Sequence, residues 1–304
     1  MAVSERIRRS AVALLAQWAD RPVRWPCRKR FLSGDAPGTI GTCGAEASAD
    51  DGGWHALGID TDVTPSTAAG PEPRADRARL DRPRPDAVDT TRRRGRMTPA
   101  KHATIARLAP TLGLDADDGG PWRDRLVAAF GRDAPRLLDV GVGAADATIA
   151  WALAHPDQDV VAVEVHRPSL AAAFAAVEAA GVDNLRIVEA DVRRVLADLE
   201  PGDVTAVRVL FPDPWPKARH HKRRLVGAEF VARVADVVPP GGWLHVATDW
   251  PDYAGAVRAA IAAEPRLEVV ADPGPLVERP VTVYERRGLD AGRPPVDVVA
   301  RRRA

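Results

Sequence analysis

A short glycine loop and three carboxylates in the middle of the chain have the residue types of a nucleoside pocket. An apolar segment runs into the sequence DVGVGAAD at 139–146, whose glycines allow a sharp turn and a close approach of backbone amides to a ligand. Glu164 ends the next apolar segment, where a carboxylate can bind both hydroxyls of a ribose, and Asp191 follows the third, at the level of an adenine edge. The candidate cofactor residues are Asp139, Gly141, Gly143, Glu164 and Asp191.

The charge of this set favours a cofactor without phosphates. Carboxylates beside the loop repel a phosphate, whereas S-adenosyl-L-methionine has none and carries a sulfonium cation. We therefore expect S-adenosyl-L-methionine as the cofactor, with its amino group attracted by Asp139. A dinucleotide oxidoreductase has a similar loop, but the sequence presents no residues for hydride transfer. For each carboxylate alone, a solvated strand end is the alternative.

The segment 211–224 reads FPDPWPKARHHKRR and joins a rigid acid to a basic run. Prolines on both sides fix the backbone around Asp213, so its carboxylate can hydrogen-bond the N1 and N2 hydrogens of a guanine. Trp215 can stack on a base, a contact of roughly 1–3 kcal/mol. The run can contact backbone phosphates through Lys217, Arg219, His220, His221, Lys222, Arg223 and Arg224. A solvated charged loop is the alternative for the run by itself.

Short apolar strands alternate with helices and position these groups. The pattern predicts strands at 136–140, 160–163, 185–188, 204–211 and 243–247, and helices at 146–154, 169–180, 192–199, 229–237 and 252–263. Such alternation predicts an α/β fold with a mainly parallel, twisted sheet and helices on both faces. Ligands of such sheets bind at the carboxyl ends of the strands, where the strand order reverses. Further strands near 267–270 and 281–285 complete the sheet, one as an antiparallel edge.

The chain divides into two parts of different composition. Residues 1–90 mix Arg, Asp, Gly, Pro and Ala without periodic apolar patterning, which predicts a disordered extension. The alternatives are a small module anchored by Trp18, Trp25 and Trp54, or an extension upstream of the functional start. Residues 91–304 form the predicted methyltransferase domain, in which Thr98 caps a first helix and Pro99 occupies its first turn.

Cysteine content and hydropathy exclude other classes of protein. Cys27 and Cys43 show no Cys-x-x-Cys or Cys/His spacing, so we expect neither a metal site nor a disulfide framework. No apolar stretch approaches the roughly 20 residues needed to span a membrane, so we expect a cytoplasmic protein. The net charge of +1 hides local basic clusters at 92–96, 217–224 and 301–303, which suit a nucleic acid.

The segment 211–224 resembles the signature of the bacterial tRNA (guanine-N7-)-methyltransferases. Further motifs follow in the order and spacing of that family: RGRMT at 94–98, EVH at 164–166, LHVATDW at 244–250 and RPVTVYERRG at 279–288. The resemblance runs from about residue 92 to 303, roughly two thirds of the chain. It implies a Rossmann-like class I methyltransferase whose substrate is tRNA and whose target is guanine 46 of the variable loop.

The resemblance also implies roles for individual residues. Asp139, Glu164, Asp191 and Asp213 occupy cofactor-contacting positions, and Asp213 is also at the presumed catalytic position. The substrate-binding positions are Lys217, Asp249, Thr282, Val283, Tyr284 and Glu285. For Asp249 the alternative is a cap for the helix that begins near 252, and for Thr282 and Glu285 it is an ordinary edge strand.

The chain departs from the family at three places. Ala145 stands where the family usually has a third glycine, and Asp139 stands where it commonly has glutamate. After Gly288, the sequence PPVDV at 294–298 replaces the usual tryptophan-containing end. Two other functions stay open. One is a catalytically inactive RNA-binding protein, in which Ala145 has disabled the glycine loop. The other is a small-molecule methyltransferase, which would not need the basic run.

Overall fold

A computed structural model describes residues 95–304, whose strands form one eight-stranded sheet. The strand order is β1-β4-β3-β2-β5-β6-β8-β7, and every pair from β1 to β6 is parallel. The strands are β1 (Gly113–Leu114), β2 (Arg136–Val140), β3 (Asp159–Glu164), β4 (Leu185–Glu189), β5 (Ala206–Leu210), β6 (Trp243–Thr248), β7 (Leu267–Val269) and β8 (Val296–Arg302). The order reverses between β2 and β5, which places a crevice at their carboxyl ends.

Helices cover both faces of the sheet because consecutive side chains of its central strands point to opposite sides. Leu138 packs into the apolar core on one face and Leu137 into the core on the other. One core contains residues of α2 (Trp122–Phe130), α5 (Val192–Asp198), α6 (Ala228–Val237) and α7 (Pro251–Ala262). The other contains residues of α1 (Pro99–Leu112), α3 (Asp146–Ala154) and α4 (Arg167–Ala180). The predicted α/β architecture is confirmed.

The predicted strand at 281–285 is wrong, because those residues begin helix α8 (Val283–Asp290). The Thr282 hydroxyl accepts a hydrogen bond from the Glu285 amide (3.1 Å) and so caps this helix. The sequence Thr-x-x-Glu is a capping-box pattern, and it decides the structure over the β-branched residues around it. The antiparallel strand is instead β8, which lies between β6 and the edge strand β7.

The predicted start of α1 is confirmed, since the Thr98 hydroxyl accepts from the Lys101 amide and Pro99 is the first helical residue. Among residues 95–304, no helix is long and apolar enough to cross a membrane, and no cluster of His, Cys, Asp and Glu could hold a metal ion. The predicted extension at 1–90 and both cysteines lie outside the described residues.

Candidate active site

Two adjoining cavities of about 200 and 300 Å³ open at the carboxyl ends of the central strands. Glu164, Asp191 and Asp213 line the first cavity, and the glycine loop after β2 lines the second. Phe211 and Tyr284 line both. The two cavities therefore form one cleft: Glu164, Asp191 and Asp213 belong to the first cavity, and the glycine loop with Asp139 and Asp146 belongs to the second.

The glycine loop adopts left-handed backbone conformations at three positions. Gly141 and Gly143 have φ angles of +70° and +59°, and Ala145 has a φ of +64°. A left-handed residue other than glycine costs roughly 1–2 kcal/mol. Ala145 nevertheless packs without exposed surface in the core, and its amide donates to the Val142 carbonyl (2.8 Å). The departure from the family glycine therefore leaves the turn formed.

Glu164 is fixed by two backbone amides at the end of β3. Its Oε2 accepts from the Gly143 amide (2.9 Å), and its Oε1 accepts from the His166 amide (2.7 Å). A carboxylate oxygen accepts more than one hydrogen bond, so both oxygens keep capacity for a ligand. A buried, preoriented acceptor with spare lone pairs fits the hydroxyls of a ribose, and the open glycine backbone beside it fits the rest of S-adenosylmethionine.

Asp139 is not an open carboxylate. Arg208 of β5 donates to both of its oxygens (3.1 and 2.6 Å), and the Thr148 hydroxyl donates to Oδ2 (2.7 Å). The guanidinium of Arg208, 1% exposed, also lies over the ring of Trp151, 5.0 Å from its centroid. The charge of Asp139 is thus balanced inside the protein by Arg208. Asp139 therefore gives little support to the argument that carboxylates beside the loop would repel a phosphate. An arginine within the apolar run at 204–211 was the signal for this pair.

Asp191 combines two functions at the start of α5. Its Oδ1 accepts from the Arg193 amide (2.9 Å) and so caps the helix. The same side chain is part of the wall of the first cavity, near Glu164. Both carboxylates that were predicted to hold the nucleoside therefore line a single cavity.

Asp213 lies on a strained loop that follows β5. Phe211 and Trp215 have φ angles of +52° and +45°, so left-handed residues flank the Pro-Asp-Pro sequence on both sides. Such conformations cost about 1–3 kcal/mol each and persist where surrounding contacts impose them. Here the Phe211 amide donates to the Ala247 carbonyl (2.8 Å), and Arg224 Nε donates to the Pro214 carbonyl (2.9 Å).

The basic run after this loop has an internal part and an external part. Arg224 is largely buried, forms an ion pair with Asp252 and lies over the ring of Tyr253, so it supports the loop and differs from the predicted phosphate contact. Arg223 lies over Trp215, and His220 meets the same ring edge-on. The exposed cations of the short 3₁₀ helix Ala218–Arg223 and its cap are Lys217, Arg219 and Lys222.

The predicted substrate residues divide between the cleft and its surroundings. Thr282, Val283 and Tyr284 line the second cavity. Lys217, Asp249 and Glu285 line neither cavity. Asp249 pairs with Arg293 (2.9 Å) and does not cap α7, whose cap residue is Trp250, so the capping alternative is wrong. Glu285 is buried beside Arg279.

Two buried histidines make the stability of the protein sensitive to acid. Burial lowers the pKa of His155 and of His245, so the folded protein keeps both rings neutral where the unfolded chain protonates them. The unfolded state therefore binds more protons once the pH falls below about 6.5, the ordinary histidine pKa. Above that pH, these two histidines should not lower the free energy of unfolding. As the pH falls through about 6.5, the free energy of unfolding should decrease, because protons bind to the unfolded chain.

Urea unfolding at about pH 7.5 and about pH 5.5 measures this dependence. His155→Phe is the matched variant, because it keeps an aromatic ring stacked on Trp151 (3.9 Å) and removes one titrating group. Its stability should depend less on pH than that of the unmodified chain. An unchanged dependence would show that His155 does not contribute.

The crevice at the strand reversal, its glycine loop and the fixed acceptor after β3 define a Rossmann-like methyltransferase, the class that uses S-adenosyl-L-methionine. A family model described as "Putative methyltransferase" matches residues 133–298. The tRNA (guanine-N(7)-)-methyltransferase of Alkalilimnicola ehrlichii is 43% identical over 236 residues, 76% of this chain and 98% of that protein. The proteins of the same name from Halorhodospira halophila and a Nocardioides species are each 40% identical, over 70% and 72% of this chain and 93% and 88% of their own lengths. The chain belongs to the tRNA (guanine-N7-)-methyltransferase family.

Proposed function

We propose that this chain transfers a methyl group from S-adenosylmethionine to N7 of guanine 46 in the variable loop of tRNA. The observation that carries the proposal is the position of Asp213. It lies in the wall of the cavity that also contains Glu164 and Asp191, and the exposed cations Lys217 and Arg219 follow it directly. An acid at the cofactor cleft with a basic approach suits an enzyme that acts on an RNA base.

The residues of the cleft bind and orient rather than move a proton. S-adenosylmethionine supplies an electrophilic methyl group, and guanine N7 carries an in-plane lone pair without a hydrogen. Asp213 therefore has no proton to remove and instead hydrogen-bonds the N1 and N2 hydrogens of the guanine. Alignment of two reactants lowers a barrier by roughly 7–11 kcal/mol, which makes orientation the main contribution of the protein.

Charge is the second contribution of Asp213. Methylation at N7 leaves the base cationic, so a preoriented carboxylate nearby stabilises the charge as it develops. The strained loop supports this role, since Phe211 and Trp215 hold the acid at a fixed position before the substrate arrives. N7 of a paired guanine lies in a groove too narrow for side chains, which favours a guanine in an accessible loop.

The deciding experiment incubates the protein with tRNA and labelled S-adenosylmethionine and maps the methylated nucleotide. Guanine 46 should carry the label at N7, and a tRNA transcript with adenine at that position should stay unlabelled. Label at another nucleotide would contradict the proposed target. A folded protein that binds no S-adenosylmethionine in calorimetry would support the inactive RNA-binding alternative. Transfer of label to a small molecule while tRNA stays unlabelled would support the alternative of a small-molecule methyltransferase.

The exposed cations of the 3₁₀ helix should determine tRNA affinity. In a variant that combines Lys217→Ala, Arg219→Ala and Lys222→Ala, we expect the KM for tRNA to rise by at least about tenfold, because phosphate contacts dominate affinity. The dependence of binding on salt should become shallower by about 2 in log-log slope, at roughly 0.7 per lost contact to single-stranded RNA. Affinity for S-adenosylmethionine should not change.

The matched control combines Arg258→Ala, Arg301→Ala and Arg303→Ala, which remove the same charge from other exposed positions. Arg301 pairs in register with Trp243 at the start of β6, so it lies at the end of the sheet opposite the cleft. The basic cluster at 301–303, which the sequence suggested as a nucleic-acid contact, is therefore remote from the cleft. An equal loss of tRNA affinity in both variants would show that net charge, and not the 3₁₀ helix, determines binding.

Deletion of residues 1–90 should leave methyl transfer largely unchanged. The sequence of residues 1–90 lacks periodic apolar patterning, and within the part of the chain that the structure describes, both cavities and the exposed cations are already present. The measurement compares kcat and KM for tRNA in the full chain and in the truncated chain. A large increase in the KM of the truncated chain would show that the deleted segment belongs to the substrate surface. Since tRNA is the proposed substrate, we also propose the cytoplasm as the location of the protein.

A further inference from the structure

Buried ionisable side chains form a chain of contacts behind the cleft. His245 of β6, which is 1% exposed, places Nε2 2.7 Å from Oδ1 of Asp297 in β8. The same Oδ1 accepts a hydrogen bond from Nη1 of Arg279 (2.7 Å). The side chain of Arg279 is itself only 5% exposed. Its guanidinium is thus held from one side by the antiparallel strand pair at this part of the sheet.

The other side of Arg279 contacts two segments that form the walls of the cleft. Nη2 donates to Oε1 of Glu285 in the first turn of α8 (3.3 Å). The guanidinium carbon lies 5.4 Å from the centroid of the Phe211 ring, at the start of the loop that bears Asp213. One side chain therefore joins the helix that bears Tyr284 to the strained loop after β5.

Helix α8 depends on such polar contacts because little of it is buried in an apolar core. Of its eight residues, Glu285 and Gly288 are buried, whereas Val283 and Tyr284 are substantially exposed. Gly288 packs so closely on Asp249 that a Cβ at this position would lie 2.9 Å from the Asp249 side chain. Arg279 is therefore a polar anchor of the first turn of this helix, whereas Asp249 packs against its second half and pairs with Arg293, which follows the helix.

We propose that Arg279 is a positioning residue for methyl transfer, and that Asp297 and His245 hold it in place. Arg279 fixes the first turn of α8, including Tyr284, relative to Phe211 and therefore fixes the width of the cleft that receives the guanine. The expected effect of Arg279 on kinetics rests on the proposed function. The effect of Arg279 on the position of α8 can be measured independently of any reaction.

Arg279→Met tests the proposal, because methionine keeps much of the apolar side chain and removes the planar fork that joins Asp297 to Glu285. We expect kcat/KM for tRNA to fall by about 100-fold, the effect typical of a shift of about 1 Å in a positioning group. We expect the amides of α8 to exchange hydrogen faster, while the amides of β2 and β5 keep their protection. Arg279→Lys should give an intermediate result, since an ammonium reaches one of the two carboxylates at a time.

Arg233→Met is the matched control. Arg233 also joins elements through several hydrogen bonds, to the carbonyls of Leu196, Ala197 and Leu199, and it lies at the junction of α5 and α6. This variant should lose stability without a change in the KM for tRNA or in α8 exchange. If Arg279 only stabilised the fold, Arg279→Met would likewise lose stability without a change in the KM for tRNA or in α8 exchange.

Unchanged α8 exchange together with unchanged kinetics in Arg279→Met would overturn the proposal. If the unmodified chain methylates no tRNA, the proposed function fails by itself. Hydrogen exchange then still decides whether Arg279 positions α8, since that measurement needs neither tRNA nor cofactor.

Discussion

Replacement of Asp213 by alanine should eliminate most methylation of tRNA while the protein stays folded. Removal of one preoriented electrostatic group from an active site costs about 10²–10³-fold in kcat, and Asp213 has both an orienting and an electrostatic role here. The measurement is the initial rate of methyl transfer to tRNA with S-adenosylmethionine at saturation. Affinity for the cofactor, measured by calorimetry, should fall much less than the rate.

The fold should tolerate this change because Asp213 is exposed and lies outside the sheet. The loop that carries it is held by the Phe211 amide, by Arg224 at the Pro214 carbonyl and by the fixed φ of two prolines. Asp198→Ala, at an exposed aspartate at the end of α5, is the matched control and should have normal activity.

Asp213→Asn tests the two roles of the carboxylate. The amide oxygen of asparagine still accepts one of the two guanine hydrogen bonds, but its NH2 group cannot accept the other, and the side chain carries no charge to stabilise a cationic product. Activity close to normal would show that one oriented hydrogen bond is enough, and activity close to that of Asp213→Ala would show that the charge or the second hydrogen bond is needed. Near-normal turnover in Asp213→Ala itself would remove Asp213 from the site.

The sequence predicts the central sheet well because local signals and tertiary structure agree there. The apolar segments at 136–140 and 243–247 are strands in the structure, and the helix at 146–154 has the predicted bounds. Strands buried on both faces are continuous apolar runs, and this pattern is visible without knowledge of their partners. The carboxylates at their ends converge because parallel strands end at one edge.

The surroundings of the cleft could not be predicted in the same way, because they depend on contacts between distant residues. Arg208 meets Asp139 across 69 positions of the chain, and Asp297 meets His245 across 52. No local pattern specifies such a pair, although a charged residue within an apolar strand indicates that a partner exists. At 281–285 a local signal was present, but three consecutive β-branched residues, Val281 to Val283, favour a strand and obscure the capping box.

The departures from the family acquire physical explanations from these contacts. The segment PPVDV at 294–298 contains Asp297, which belongs to the support of Arg279 and therefore of α8. Asp139, shorter than the usual glutamate, lies at hydrogen-bond distance from Arg208 on the neighbouring strand. In both places, a residue at a departure from the family pattern expected from the sequence belongs to an internal ion pair.

Among the single substitutions considered, Arg208→Met should lower the free energy of unfolding most. The change leaves Asp139 buried without its cation, and a broken buried pair costs about 3–5 kcal/mol in the free energy of unfolding. Urea unfolding measures this loss. Arg123→Met is the control, since its ion pair with Asp133 is about half exposed on both sides and should contribute less than about 1 kcal/mol.

The double variant Asp139→Leu/Arg208→Met separates the stability of the pair from its function. Apolar residues that replace both members of a buried pair are often neutral, so the double variant should recover much of the stability that Arg208→Met loses. If Asp139 also binds the amino group of S-adenosylmethionine, the recovered protein should still bind that cofactor about 10- to 100-fold more weakly, the value of a hydrogen bond between charged groups. Cofactor affinity equal to that of the unmodified chain would limit Asp139 to its pairing with Arg208. Stability no better than that of Arg208→Met would show that the leucine and methionine do not pack in place of the pair.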